Sequence, residues 1–281
     1  MKTSDEMAAD RCMPYKKTVS SLYDTEVFRE ILKDALHPGG HALTRRMAEV
    51  ARARPGLMVL DLGCGSGAGC FLFCKGYGCN AIGIDLSLRK ITFALARARD
   101  EGLAGRAGFL VADAEVLPFP DASFDIVVSE CAFSILPDKE RAAGEISRVL
   151  RSKGRVVFTD VVLKGGGEQG MEGNLSGDGG MPLLPCLSGA GSLEEYTSNF
   201  EKAGLCRVAV EDHTVTLKKV AYQMALNFGD WSNFLCELSA QLSSRITDSE
   251  HVDVAPCSPD RYRDILLRAK LGYALIGMAK P

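Results

Sequence analysis

The sequence predicts an α/β fold, a parallel sheet with helices on both faces. Three observations carry this. Short apolar runs alternate with helix-length segments from residue 57 to about residue 162. The first run, Val59-Leu-Asp-Leu62, enters a glycine-rich turn, Gly63-Cys-Gly-Ser-Gly67. A second run, Ile82-Gly-Ile-Asp85, ends in a carboxylate, which is how a βαβ nucleotide-binding unit begins.

The elements follow in order. Residues 1 to 20 are polar and read as a mobile N-terminal segment, ahead of one domain over residues 21 to 281. Phe28 to Leu36 reads as a short helix, His37-Pro-Gly-Gly40 as a turn and Ala42 to Arg52 as a second helix. Leu57 to Leu62 is the first strand. A helix starts inside the glycine turn and runs to about Gly76. Ala81 to Asp85 is the second strand, and Leu88 to Arg99 is a helix rich in Ala and Arg, both good helix formers. Phe109 to Ala112 is the third strand. Pro118, Pro120 and Asp121 make a turn, and Phe124 to Ser129 is the fourth strand. Asp138 to Leu150 is a helix stopped at Lys153-Gly154, and Arg155 to Val162 is the fifth strand.

Residues 164 to 191 break the rhythm. Gly, Ser, Pro, Met and Leu dominate, and the stretch reads equally as a lid or as a flexible segment. Leu193 to Ala203 is a helix stopped by Gly204, and Leu205 to Val210 is a strand. Leu217, Val220, Met224, Phe228, Trp231, Leu235 and Leu238 then recur at helical spacing, which reads as a packing face rather than a cofactor box. Pro259 to Lys270 reads as another helix and Leu271 to Met278 as a final strand.

Composition excludes several classes of function. With 281 residues and 46% hydrophobic content the chain can bury a substantial core. Net charge is −3, and no Lys/Arg run interleaves with aromatics, so nucleic acid is not an expected partner. No apolar run reaches membrane-spanning length and no signal-peptide pattern opens the chain, so a cytoplasmic protein without a membrane partner is expected. Ten cysteines then read as thiols rather than a disulfide framework. No zinc-type spacing is present, and no metal site is expected. Oligomeric state is not legible.

The glycines alone fit two cofactors, because Gly63-x-Gly65-x-x-Ala68 also matches the dinucleotide fingerprint. Asp61 discriminates. A dinucleotide's pyrophosphate would lie close to this turn, where a carboxylate repels it, whereas an ammonium and a sulfonium suit it. The expected cofactor is S-adenosylmethionine. Asp85, at the tip of the second strand, can accept from ribose hydroxyls. It reads otherwise as a strand-end turn residue. Asp113 can accept from an adenine amino group, and the following backbone N–H, that of Ala114, can donate to a ring nitrogen.

Val59-Leu-Asp-Leu-Gly-Cys-Gly-Ser-Gly67, Ile84-Asp85, Asp113-Ala114, Leu117-Pro-Phe-Pro120, Ser123-Phe-Asp-Ile-Val127 and Glu145-Ile-Ser-Arg-Val-Leu150 together resemble a class I S-adenosylmethionine-dependent methyltransferase over residues 40 to 165. The resemblance implies a Rossmann-like, seven-stranded, mostly parallel sheet with an antiparallel last strand. Leu205–Val210 and Leu271–Met278 would supply the closing hairpin, with a helical insertion over residues 215 to 268. It further implies that Asp61 and Gly63 hold the methionine end, Asp85 the ribose, and Asp113 and Ala114 the adenine, with Gly65, Gly67, Leu86 and Ser129 also binding the cofactor. Ser129, Glu130 and Cys131 would lie beside the methyl group and a small-molecule substrate.

Methyl transfer demands alignment and a dry site, and an oxygen acceptor usually needs a base. Glu130, His37, His41, Asp160 and His213 are the candidates, and none stands out. Cys70 follows the glycine turn and Cys186 lies in Cys-Leu-Ser-Gly-Ala190, a pair that resembles the arsenite methyltransferase subgroup. That resemblance implies thiolates holding a thiophilic metalloid. The subgroup's further cysteine shortly before the glycine loop has no counterpart here. Both cysteines read equally as core residues. A carbon, oxygen or nitrogen centre of a metabolite is the alternative acceptor, and a non-catalytic cofactor-binding partner is the alternative of another class. His37-Pro-Gly-Gly-His41 reads either as a helix-helix turn or as a backbone cradle for the cofactor's carboxylate.

Overall fold

The computed structural model describes residues 15–16, 19–23, 25, 37–164, 185–229, 233–234 and 270–281. Among these, α1 (Gly40–Val50) precedes β1 (Met58–Leu62), α2 (Ala68–Tyr77), β2 (Asn80–Asp85), α3 (Leu88–Asp100), β3 (Ala107–Val111) and β4 (Phe124–Glu130). Then come α4 (Lys139–Val149), β5 (Leu150–Leu163), α5 (Pro185–Ser188), β6 (Gly191–Ser192), α6 (Leu193–Lys202), β7 (Cys206–Asp212), α7 (Thr214–Phe228) and β8 (Leu271–Ala279).

The sheet order is β3-β2-β1-β4-β5-β8-β7, with the short β6 beside β5. The first five strands pair in parallel, β1 at the centre with Leu60 opposite both Ile82 and Val127. Crossover helices cover both faces, so the central stretches of these strands, such as Val59–Leu60, Ile126–Val128 and Val156–Phe158, are apolar and buried. β8 runs antiparallel between β5 and β7 and is buried from Gly272 to Met278, whereas the edge strand β7 is mostly exposed. This is the expected Rossmann-like sheet with the reversed closing strand.

Two cores lie on its two sides. One gathers Phe71, Phe73, Ile91 and Phe109 under α2 and α3. The other stacks Phe133 on Phe200 at 5.0 Å between centroids, with Phe158 and Tyr196 alongside. Local signals set the helix starts. Ser87 accepts from Lys90 N, Asp138 accepts from Arg141 N, and Ser192 with Glu195 forms a complete capping box.

Several expectations are corrected. β5 begins at Leu150, five residues before the expected Arg155, because Leu150 pairs with Phe124 directly after α4. Within the segment read as mobile, Tyr15, Lys16, Val19 and Ser20 are helical, and Lys16 and Val19 are each only 4% exposed. Their ordering comes from contacts far along the chain. The end of the 164–191 segment is regular, since β6 pairs with Val162 and Leu163. Residues 165–184 lie outside the described residues, as do the helix read over Phe28–Leu36 and residues 259–269 of the helix read up to Lys270. In the 215–268 insertion, Met224 is buried and Leu217, Val220 and Phe228 pack on the core, as a packing face should. Trp231, Leu235 and Leu238 lie outside the described residues.

Candidate functional site at the strand tips

The C-terminal tips of β1 to β4 open onto one cleft, the position expected of a ligand site in an open α/β sheet. The cleft is open to solvent on one side and lined by residues from the tips of all four strands and from the N-terminal helical segment. Asp61, Gly63, Gly65, Asp85, Leu86, Asp113, Ala114, Ser129 and Glu130 all line it. Nine of the expected site residues therefore meet in one place. Gly67 turns the chain behind them at φ 84°, where an added Cβ would lie 2.6 Å from the Phe109 ring.

The glycine turn is tied to the second strand. Gly65 N donates to Asp85 Oδ2 at 3.0 Å and Ser87 N to Asp85 Oδ1 at 2.9 Å. Asp85 thus closes the turn that surrounds it, and the strand-end reading of this residue describes part of what it does. Gly63 has φ 71°, and a Cβ there would lie 2.6 Å from that of Ala132, so the turn presses directly on the β4 tip.

The floor is acidic and buried. Asp61 is 4% exposed, and burial together with the nearby Glu130 raises its carboxyl to about 7. Glu130 Oε2 lies 3.0 Å from His37 Nε2, while Glu130 Oε1 is buried without a hydrogen-bond partner. His37 Nδ1 donates to Pro38 O at 3.1 Å, which leaves Nε2 to face the carboxylate. Burial lowers the His37 pKa, but the Glu130 charge and hydrogen bond outweigh it and the net shift is upward. Sequence reasoning offered His37 as a base candidate and its motif as a helix-helix turn or backbone cradle; the structure pairs its side chain with Glu130 below the cleft.

The β3 tip carries a buried ion-pair cluster. Lys16 Nζ donates to Asp113 Oδ2 at 2.7 Å and to Glu115 Oε2 at 2.6 Å. Asp113 Oδ1 accepts from Glu115 N at 3.0 Å. Lys16, Val19, Ser20 and Tyr23 wall the cleft, and no sequence signal marked them.

The cysteines separate into two settings. Cys70 is fully buried, donates towards Asp61 Oδ2 at 3.5 Å and does not line the cleft. Burial first, then Asp61, raises its thiol well above the usual range, so it is not a thiolate. Burial raises Cys186 to about 11. Cys64 and Cys131 do line the cleft, the latter at φ 54° with its Sγ 2.9 Å from Tyr273 Oη. Two neutral thiols are a poor metalloid site, and the arsenite reading gains nothing from this geometry. Of the remaining base candidates, Asp160 is fully buried and accepts from Ser134 N and Val161 N, with burial raising it to about 6. His213 pairs with Glu211 at 3.1 Å on the β7 side.

This fold and cleft define a Rossmann-like α/β protein built to hold a nucleoside-bearing ligand across its strand tips. The chain belongs to the methyltransferase-domain family, whose sequence profile matches residues 53–208, more than half of its length. It is 30% identical over 217 residues to the methyltransferase GfsG of Streptomyces halstedii, covering 70% of this chain and 76% of that one. It is 31% identical over 175 residues to the 27-O-demethylrifamycin SV methyltransferase of Amycolatopsis mediterranei, covering 60% and 61%. Against phosphoethanolamine N-methyltransferase 1 of Arabidopsis thaliana it spans only 24% of the relative's length.

Solved structures share the fold. A Haemonchus contortus phosphoethanolamine N-methyltransferase with bound S-adenosyl-L-methionine superposes with a TM-score of 0.71 at 20% identity, covering 95% of this chain and 60% of that one. The [4+2]-cyclase SpnF superposes at 0.67 and 24% identity, covering 95% and 96%. The cofactor of the family is S-adenosylmethionine, as expected from Asp61. None of these relatives is described as acting on arsenite. Among the described residues, no helix is long and apolar enough to cross a membrane.

Proposed function

We propose that this chain binds S-adenosylmethionine in the strand-tip cleft and transfers its methyl group to a small-molecule acceptor. The observation that carries the reading is the convergence of Asp61, Asp85 and Asp113 on one cleft from the tips of three parallel strands. When bound, S-adenosylmethionine supplies a sulfonium-activated methyl group.

The chain's own residues hold and orient it. Asp61 and the Gly63–Gly67 turn receive the methionine end, where a buried carboxylate attracts a cation. Asp85, its oxygens anchored on Gly65 N and Ser87 N, retains lone pairs for ribose hydroxyls, with Leu86 packing beside it. Asp113 and Ala114 meet the adenine, the former carboxylate fixed in place by Lys16. Ser129 and Cys131, at the β4 tip, border the reacting methyl. Lys16, Val19 and Tyr23 close the cleft against water, which strengthens every charge interaction inside it.

The acceptor is a metabolite with an oxygen, nitrogen or carbon centre. The names of the relatives, which include a 27-O-demethylrifamycin SV methyltransferase and a phosphoethanolamine N-methyltransferase, support a small-molecule acceptor. Labelled S-adenosylmethionine offered with hydroxyl- and amine-bearing small molecules tests it. Methylated product and stoichiometric S-adenosylhomocysteine are expected. Tight cofactor binding with no transfer to any acceptor would instead favour a non-methylating role, and the cyclase among the fold neighbours makes that a real outcome.

A further inference from the structure

We propose that His37 is a positioning residue that turns Glu130 so that its free oxygen joins Asp61 in receiving a ligand ammonium group. The inference rests on the cofactor reading above and adds a second carboxylate to the methionine end.

Three observations carry it. First, the two carboxylates converge. An added Cβ on Gly69, at the start of α2, would lie 2.7 Å from Asp61 Oδ2 and 3.7 Å from Glu130 Oε2. Glu130 therefore stands at the Asp61 end of the cleft rather than apart from it. Second, the carboxylate is half used. Oε2 is engaged by His37 Nε2 at 3.0 Å, whereas Oε1 is buried and unpartnered in a residue that lines the cleft. A buried acceptor left unmade costs free energy unless a ligand donor completes it. Third, His37 is itself fixed. Its side chain is 2% exposed, its Nδ1 donates to Pro38 O, and its Nε2 also lies 3.4 Å from Thr44 Oγ1 on α1. The His37-Pro38-Gly39-Gly40 turn thus aims one ring nitrogen at Glu130 and fixes which oxygen remains available.

The charge balance selects the ligand group. A carboxylate offers only acceptors, so the partner of Oε1 is a donor, and a cationic donor forms the stronger bond. An ammonium between Asp61 and Glu130 meets both carboxylates. A ligand carboxylate in the same place would meet the Asp61 charge and a Glu130 oxygen that can only accept. The geometry therefore gives Glu130 a binding role at the methionine end rather than that of a base at the acceptor.

Calorimetric binding of S-adenosylhomocysteine and of its deaminated analogue, which keeps the carboxylate and lacks the ammonium, tests this on the full chain. Wild type should prefer the amine by about tenfold or more. Glu130→Gln keeps the side-chain volume, and should lose most of that preference while binding the deaminated analogue as before. His37→Leu should behave like Glu130→Gln, and His37→Gln, which restores a donor near the Nε2 position, should recover the preference. An unchanged preference in Glu130→Gln overturns the inference, and so does an equal loss for both ligands, which would mark a purely structural role. Wild-type protein that binds neither ligand overturns the cofactor reading itself, and this inference with it.

Discussion

Lys16 Nζ lies 2.7 Å from Asp113 Oδ2, joining a helical segment near the start of the chain to the tip of β3, 97 residues away. The same ammonium meets Glu115, whose other oxygen accepts from Asp138 N at the start of α4. The lysine is 4% exposed, and the two carboxylate side chains are 13% and 6% exposed. Removing it leaves two carboxylates close together and poorly hydrated. Lys16→Met should therefore destabilise the protein by about 3 kcal/mol or more in denaturant unfolding. Adding Asp113→Asn and Glu115→Gln should recover part of the loss. A change within about 0.5 kcal/mol would put this pair in the class of surface ion pairs.

The pH dependence follows from Asp61. Its folded pKa, about 7, stands above the ordinary value of 3.8. Between those values the folded chain keeps a proton that the unfolded chain has lost, so its contribution to stability falls as pH rises through that window. Asp160, raised to about 6 by burial, acts in the same direction. Asp61→Asn should flatten the unfolding free energy between about pH 4 and pH 7, leaving the Asp160 slope.

Binding should run the opposite way. Asp61 must be ionised to meet an ammonium, so S-adenosylhomocysteine affinity should rise with pH and level off above about 7. The groups that bear on Asp61 are Cys70 on α2, Glu130 on β4, His37 before α1 and Asp85 on β2. Calorimetry across the range checks this, and an affinity independent of pH in wild type would contradict it.

Gly69→Ala isolates crowding from backbone strain. The residue is helical, where Ala is favoured by about 1 kcal/mol. The added Cβ would nevertheless stand 2.7 Å from Asp61 Oδ2 and push that carboxylate aside. Cofactor affinity should drop about tenfold or more, while unfolding stability changes by less than about 1 kcal/mol. Equal affinity in the variant would show that Asp61 can yield without loss.

Cys70→Ala and Cys186→Ala should leave methyl transfer in place. Cys70 is buried outside the cleft and both thiols are raised out of the thiolate range. The cost should be confined to stability, about 1 kcal/mol each, as for a small core residue. Loss of transfer with full cofactor binding would return these thiols to the acceptor site.

The sheet was legible because its signals are local. Apolar runs of strand length, glycine stops and cap residues such as Ser87, Asp138 and Ser192 act within a few residues. The strand-tip cleft was legible for the same reason, because Asp85 ends β2, Asp61 and Asp113 lie within two residues of the ends of β1 and β3, and parallel strands bring their tips together. What only the tertiary structure decided depends on contacts between distant parts of the chain. The pairing of His37 with Glu130 and of Lys16 with Asp113, the burial that raises Asp61, and the seating of Cys70 behind the turn rather than in it all arise from packing. Such packing leaves no periodicity or spacing in the sequence.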